Sequence, residues 1–208
     1  DIDRAMRALL VGEDKPGLED AMEERRVTAA HEAGHAVATL LCQPQNRLAR
    51  VSVMPSSKGA AGYSMSVPPE RLFQTRQDLE AHVLVALAGR AGEELIFGPE
   101  KVTTGAANDL QKATELITRM YLEWGMDEAT GPLARGALAK AAPLGESEVR
   151  AMAAKMQALY VRALALLRAH EGALRAVAGA LVAHETLTGQ EVAALLDENC
   201  RTNPTQNA

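Results

Sequence analysis

The stretch "VTAAHEAGHAVATLLC", residues 27–42, decides the fold. Around it, small or apolar residues recur at Met22, Val27, Ala30, Gly34, Val37, Ala38 and Leu41. This three-and-four spacing of a buried helix face predicts a helix over about 18–41. On a helix, residues four apart share a face, so His31 and His35 can offer imidazole nitrogens to one ion at about 2.0 to 2.1 Å. Glu32 follows the first histidine directly. Its carboxylate can hold a water beside the metal, take its proton as the water attacks a peptide carbonyl, and pass that proton to the leaving amine. The competing reading is two histidines spaced by chance on a surface helix.

Such a site needs a third protein ligand, and the residues leave more than one candidate. Glu93 and Glu94 lie in "LAGRAGEELIFG", and Asp109 lies in the first turn of a helix that begins near "GAAND". A helix N-terminus keeps an aspartate ionised. It also favours aspartate for purely structural reasons.

Around these motifs the chain reads as mostly helical. The protein has 208 residues, 47% of them hydrophobic but only 3% aromatic, which suits helices packed on small side chains. Thr75 and Asp78 form a predicted capping box for a helix that keeps Leu79, Val83, Ala86, Leu87 and Ala91 inward and stops at Gly98-Pro99. Gly89 and Gly92 within it predict close packing. A helix from Leu110 to Trp124 and a long one over about 147–169, burying Val149, Met152, Met156, Leu159, Ala163 and Leu166, come next. Two shorter helices close the chain, the last opened by the box Thr188 to Glu191. The only β-like runs are "LARVSVMP" (48–55) and "GYSMSVP" (62–68), read as a hairpin in a small sheet. The second ends on Pro68-Pro69 as an edge strand does, so Gly62, Tyr63, Ser64, Met65 and Ser66 are candidate substrate-binding residues.

Several function classes are disfavoured. A net charge of -5 without a basic patch argues against nucleic acid, and no G-x-x-x-x-G-K-[ST] loop is present. Cys42 and Cys200, with no C-x-x-C, suit a reduced compartment. With no run near ~18 apolar residues, the chain as given is expected to be soluble. His82, His170 and His184 have no partner at ligand spacing.

Taken together, "HEAGHAV", "GYSMSVP", "LAGRAGEELIFG", "TTGAANDLQKATELITRMYLEWGM" and "HETLTGQEVAALL", in this order, resemble the peptidase domain of FtsH-type ATP-dependent zinc metalloproteases. The resemblance covers about 1–198 and implies a mainly helical domain holding one Zn2+ per chain. It makes His31, His35 and Asp109 the ligands and Glu32 the catalytic base. It further implies an endopeptidase for unfolded or membrane-protein substrates, a homohexamer, and an ATPase module with a membrane anchor. This domain would then face the cytoplasm or an organelle matrix or stroma. The expected division is a linker or helix over 1–17 that follows the ATPase module, the zinc peptidase domain over 18–198 and a disordered tail over 199–208. "DIDRAMRALL" resembles the family's segment after the ATPase, so the chain is expected to be an excised domain. Ala107 stands where the family often has serine, and "PSSKGAAGY" lacks a common arginine, departures that bear on substrate preference. An inactive assembly module keeping the fold is the alternative; intact His31, Glu32, His35 and Asp109 argue against it.

Overall fold

A computed structural model describes residues 22–55, 61–128, 131–139 and 144–202. The helix and linker expected over the first 17 residues lie outside them, as do 203–208 of the expected tail. Helix α1, Met22–Cys42, carries the histidine motif. Between Thr28 and Thr39 every residue except His35 is buried, not only the one face expected from the spacing. The reason is that α1 runs through the middle of the molecule, with helices on two sides and a sheet strand on a third. Alanines at 29, 30, 33, 36 and 38 leave room for that.

Helix α2, Arg76–Phe97, starts on the expected capping box: the Asp78 amide donates to Thr75 Oγ1 at 3.1 Å, and the Thr75 amide donates to Asp78 Oδ2 at 2.8 Å. It ends at Gly98, whose φ of 95° closes the helix. The backbones of α1 and α2 cross almost in contact. A Cβ on Gly34 would strike the Ala88 carbonyl, and one on Gly92 would come within 2.5 Å of the Ala30 oxygen. This crossing brings the histidine face of α1 against the middle of α2.

Two turns of 3₁₀ helix, Pro99–Lys101 and Thr104–Ala106, lead into α3, Ala107–Leu122, so Asp109 sits in a first helical turn as expected. Ala113, Ile117 and Met120 of α3 pack on Leu79, Val83 and Leu87 of α2 and on Leu159 of α5, Glu146–Ala169. That core holds the start of α3 over the site. A short helix α4, Arg135–Ala139, precedes α5. In α5 the buried face is Leu159, Ala163 and Leu167; Val149 is 49% exposed and Met152, Met156 and Leu166 are only partly covered, against expectation. Its first turns pair Glu148 with Arg135 of α4 instead of facing the core.

The larger core gathers Ala33, Val37, Leu84 and Ala88 with Leu174, Val177 and Leu181 of α6, Glu171–His184, and Val192 and Leu196 of α7, Gly189–Thr202. Helix α7 continues to Thr202, into the region expected to be tail.

Strands β1, Arg47–Ser52, and β2, Tyr63–Val67, form the expected antiparallel pair, with Val51 opposite Ser64 and an irregularity between Leu48 and Arg50. A third strand, β3, Thr186–Thr188, joins the other side of β1, giving the order β2-β1-β3. It was not expected, because an alternation only three residues long, Thr-Leu-Thr, does not stand out in the sequence. Glu185, with φ of 62°, ends α6 and turns the chain so that its carbonyl accepts from the Val53 amide at 2.9 Å. The Thr188 to Glu191 box opens α7 as predicted, the Thr188 amide donating to Glu191 Oε2 at 2.7 Å. Among the described residues β2 pairs on one side only. None of the described helices is long and apolar enough to cross a membrane.

Candidate active site

His31 and His35 lie one turn apart on α1 and face α2 and the start of α3. The His31 Nδ1–H donates to Glu93 Oε1 at 2.7 Å, and the His35 Nδ1–H donates to the Val85 carbonyl at 2.8 Å. Both rings are thereby turned so that Nε2 points to a common point, where Asp109 Oδ2 also arrives. The separations are 3.0 Å between the two Nε2 atoms, 3.2 Å from His31 Nε2 to Asp109 Oδ2, and 3.3 Å from His35 Nε2 to Asp109 Oδ2. Bonds of about 2.0 to 2.1 Å at tetrahedral angles place ligand atoms roughly 3.3 Å apart, so the donor set fits a zinc ion. These three are the group among the described residues whose ligand atoms gather within 4.8 Å.

Gly89 of α2 makes the space. A Cβ there would stand 2.5 Å from His35 Nε2 and 2.6 Å from both Nε2 and Cε1 of His31, too close for either ring to keep its place. The sequence suggested only close packing at this position.

Neither alternative third ligand joins the cluster. Glu93 is 1% exposed and lies behind His31, its second oxygen accepting from the Thr103 amide at 2.8 Å. Glu94 accepts from the Tyr160 hydroxyl at 2.5 Å, away from the histidines.

The charges are arranged to favour a cation. Burial alone would depress the His31 pKa, but Asp109 and Glu93, one on each ring nitrogen, hold a proton there and push it up to about 10. Burial would raise Asp109 and Glu93, yet the same imidazole partners keep both carboxylates below their usual range. A metal can replace that proton at Nε2 while Glu93 keeps the one at Nδ1. Glu32 differs: burial raises its pKa, opposed by the two histidines, and its Oε2 is buried without a hydrogen-bond partner. No donor within the protein holds that carboxylate oxygen.

The site lies in a cleft of about 940 Å³. Its walls include Gly62, Tyr63, Ser64 and Ser66 of the β2 region, Thr103, Gly105 and Asn108 before and within α3, and His82 of α2. Of the proposed strand residues, Met65 is buried and is not among those lining the cleft. Gly62 seats the start of β2 against Thr28 and Glu32.

Sequence reading could not assign Glu93 its place behind His31, because "GEEL" offers two equivalent glutamates. The Val85 carbonyl has no sequence signal at all. Glu93→Gln is expected to retain bound metal with an affinity about 10- to 100-fold lower, as when the partner behind a ligating histidine is weakened. Competition with a chelating dye measures this. Complete loss of metal in Glu93→Gln beside full retention in Asp109→Ala would reverse the two roles.

The sequence is also similar to known proteins. Residues 20–195 match the family described as Peptidase family M41. The chain is 38% identical over 193 residues to the ATP-dependent zinc metalloprotease FtsH 1 of Alkaliphilus metalliredigens, covering 92% of this chain and 33% of that protein. It is 36% identical over 203 residues to the ATP-dependent zinc metalloprotease FtsH of Thermus thermophilus, covering 92% and 32%. With the ATP-dependent zinc metalloprotease YME1 homolog of Schizosaccharomyces pombe it shares 34% over 198 residues, covering 92% and 27%. The chain thus spans about one third of the length of the curated relatives it matches.

Proposed function

The chain belongs to peptidase family M41, and from that premise we propose that it is a zinc-dependent endopeptidase domain in which His31, His35 and Asp109 hold one Zn2+ and Glu32 is the general base. The observation that carries this reading is the convergence of His31 Nε2, His35 Nε2 and Asp109 Oδ2 within 3.0 to 3.3 Å. When bound, zinc would supply Lewis acidity, polarising the scissile carbonyl and making water a better nucleophile.

The protein's own groups do the rest. The Glu32 carboxylate, which lines the cleft and is next in sequence to a ligand, accepts the proton of the attacking water and returns it to the leaving amine. Burial raises the Glu32 pKa, which makes it a stronger base than a solvated carboxylate. Glu93 and the Val85 carbonyl fix the imidazole rings so that neither swings as charge changes at the site. The open edge of β2 beside the cleft would take an extended substrate by main-chain hydrogen bonds, with Ser64 and Ser66 at the wall. Recognition of this kind depends little on side chains and suits unfolded polypeptides. Ala107, where the family often has serine, lies at the exposed start of α3 next to Asn108 of the cleft wall. An inactive assembly module has no support from a site whose base and ligands are all present.

The relatives' names describe ATP-dependent enzymes, and we infer that in a full-length protein this domain acts beside an ATPase module in a membrane-anchored homohexamer. Hydrolysis of an extended peptide needs no nucleotide. Unfolding a stable substrate does, since it must overcome about 5 to 15 kcal/mol. The zinc-loaded chain alone is therefore expected to cleave casein slowly, with or without ATP, to lose that activity to phenanthroline, and to leave a folded reporter intact. ATP-stimulated cleavage of the folded reporter by this chain alone would contradict the assignment.

A further inference from the structure

The face of α1 that carries His31 and His35 continues in steps of four to Thr39 and Gln43, so the cleft floor runs two turns past the ligands. That end of the cleft is walled by Thr39, Gln43, Asn46, Ser66, Gln74 and His82. Thr39 is 2% exposed and Gln43 3%. Gln43 Oε1 accepts from Asn46 Nδ2 at 2.9 Å, which fixes the carboxamide, but Gln43 Nε2 is buried with no hydrogen-bond partner. A buried donor left unpaired destabilises the protein, and a partner absent from the isolated chain accounts for one that is kept. The other such atom among the described residues is Glu32 Oε2, and both residues line the same cleft.

We propose that Thr39, Gln43 and Asn46 form a subsite that takes the primary carboxamide side chain of a glutamine or asparagine in the polypeptide being cut. This deepens the peptidase reading and rests on it. The substrate's carboxamide oxygen accepts from Gln43 Nε2, which is covered in the free protein and is uncovered as the peptide seats, and its NH₂ group donates to the Thr39 hydroxyl. A carboxylate fits poorly, because the described cationic side chain of the cleft wall, Lys112, lies beside Asp109 at the other end, and a buried carboxylate without a cation is costly. His82 is no substitute: burial depresses its pKa despite nearby Asp78, leaving it neutral near pH 7. Gln43 directly follows the last residue of α1 and its amide still donates to the Thr39 carbonyl at 2.9 Å, so the rise from His35 to Gln43 is about 12 Å. An extended chain rises about 3.3 Å per residue, so the recognised side chain lies three to four residues from the bond cut, always on the same side.

The test uses fluorogenic peptides that differ only in carrying Gln or the similarly shaped Met at each of the third and fourth positions on either side of one cleavable bond. Wild-type protein loaded with zinc should show kcat/KM about tenfold higher for Gln at one of these positions, the scale of one buried hydrogen bond. Gln43→Met should bring that ratio close to one, and Asn46→Ala, which frees the Gln43 carboxamide to turn, should lower it. A ratio taken within one protein cancels changes in its overall activity. No Gln preference in the wild type, or the same preference in Gln43→Met, overturns the proposal. Binding of the same peptides to Glu32→Gln protein, read by fluorescence anisotropy, separates the two readings. If the wild type cuts nothing but the Gln peptide binds about tenfold tighter through Gln43, the peptidase reading fails and the subsite stands. Equal Kd values for the Gln and Met peptides overturn the subsite whatever the activity.

Discussion

Glu32→Gln is expected to lower peptide hydrolysis by a factor on the order of 10² or more while leaving bound zinc near one per chain, because it removes a general base without removing a ligand. The amide is nearly the size of the carboxylate, so packing of the buried residue against Thr28 and Gly62 should hold. What disappears is the carboxylate as proton acceptor, while one of its oxygens has no partner within the protein to lose. Replacement of a buried, unpaired carboxylate by a neutral group should also leave thermal stability unchanged or raised, since the charged form is disfavoured there by burial. Hydrolysis that persists with zinc bound would assign the base to another residue. A variant that loses zinc along with activity would make Glu32 a ligand, contrary to the geometry.

The second large effect is expected at Gly89, which no sequence motif marks as part of the site. Gly89→Ala puts a methyl group 2.5 Å from His35 Nε2 and 2.6 Å from His31 Nε2. Both rings must move away from the methyl group, and their Nε2 atoms then no longer meet on one ion at about 2.0 to 2.1 Å. Zinc affinity should fall by more than the 10- to 100-fold attached to weakening a partner behind a ligand, and hydrolysis should vanish with it. The collision is with side-chain ends and not with backbone, so α1 and α2 can keep their crossing while the rings swing aside. Circular dichroism should therefore remain helical as zinc content, measured by atomic emission, drops toward zero. Asp109→Ala should lose zinc as well, through loss of a donor. Gly89→Ala with full zinc and full activity would show that the ion does not lie where the two Nε2 atoms meet.

The contrast between these two residues explains what could be read from the chain alone. Glu32 was legible because H-E-x-x-H puts three chemical groups on one helix at fixed spacing, and a helix converts spacing into geometry. Asp109 was not legible from spacing, since 74 residues separate it from His35 and only the packing of Ala113, Ile117 and Met120 on α2 brings it in. The resemblance to a family singled it out. Gly89, the Val85 carbonyl and the role of Glu93 depend on how two helices cross, which local sequence does not encode.

In the fold, the longer helices and the β1–β2 pair were visible through periodicity and capping residues such as Thr75 and Thr188. Four features were not. Strand β3 is too short to stand out, α4 is a single short helix in a stretch that reads as a Gly/Pro-rich connector, the middle of α1 is buried on nearly every side because its neighbours surround it, and Val149 is exposed because the start of α5 extends past the core. Each depends on what lies across from the residue in space.

Zinc content combined with the anomalous scattering position of the metal in crystals of the zinc-loaded chain tests the central claim most directly. The account predicts one zinc per chain, bound by His31 Nε2, His35 Nε2 and an Asp109 carboxylate oxygen, with Glu93 remaining on His31 Nδ1 and Glu32 beside the ion without binding it. Zinc coordinated by Glu93 in place of Asp109, or an active protein with no zinc at this position, would contradict it.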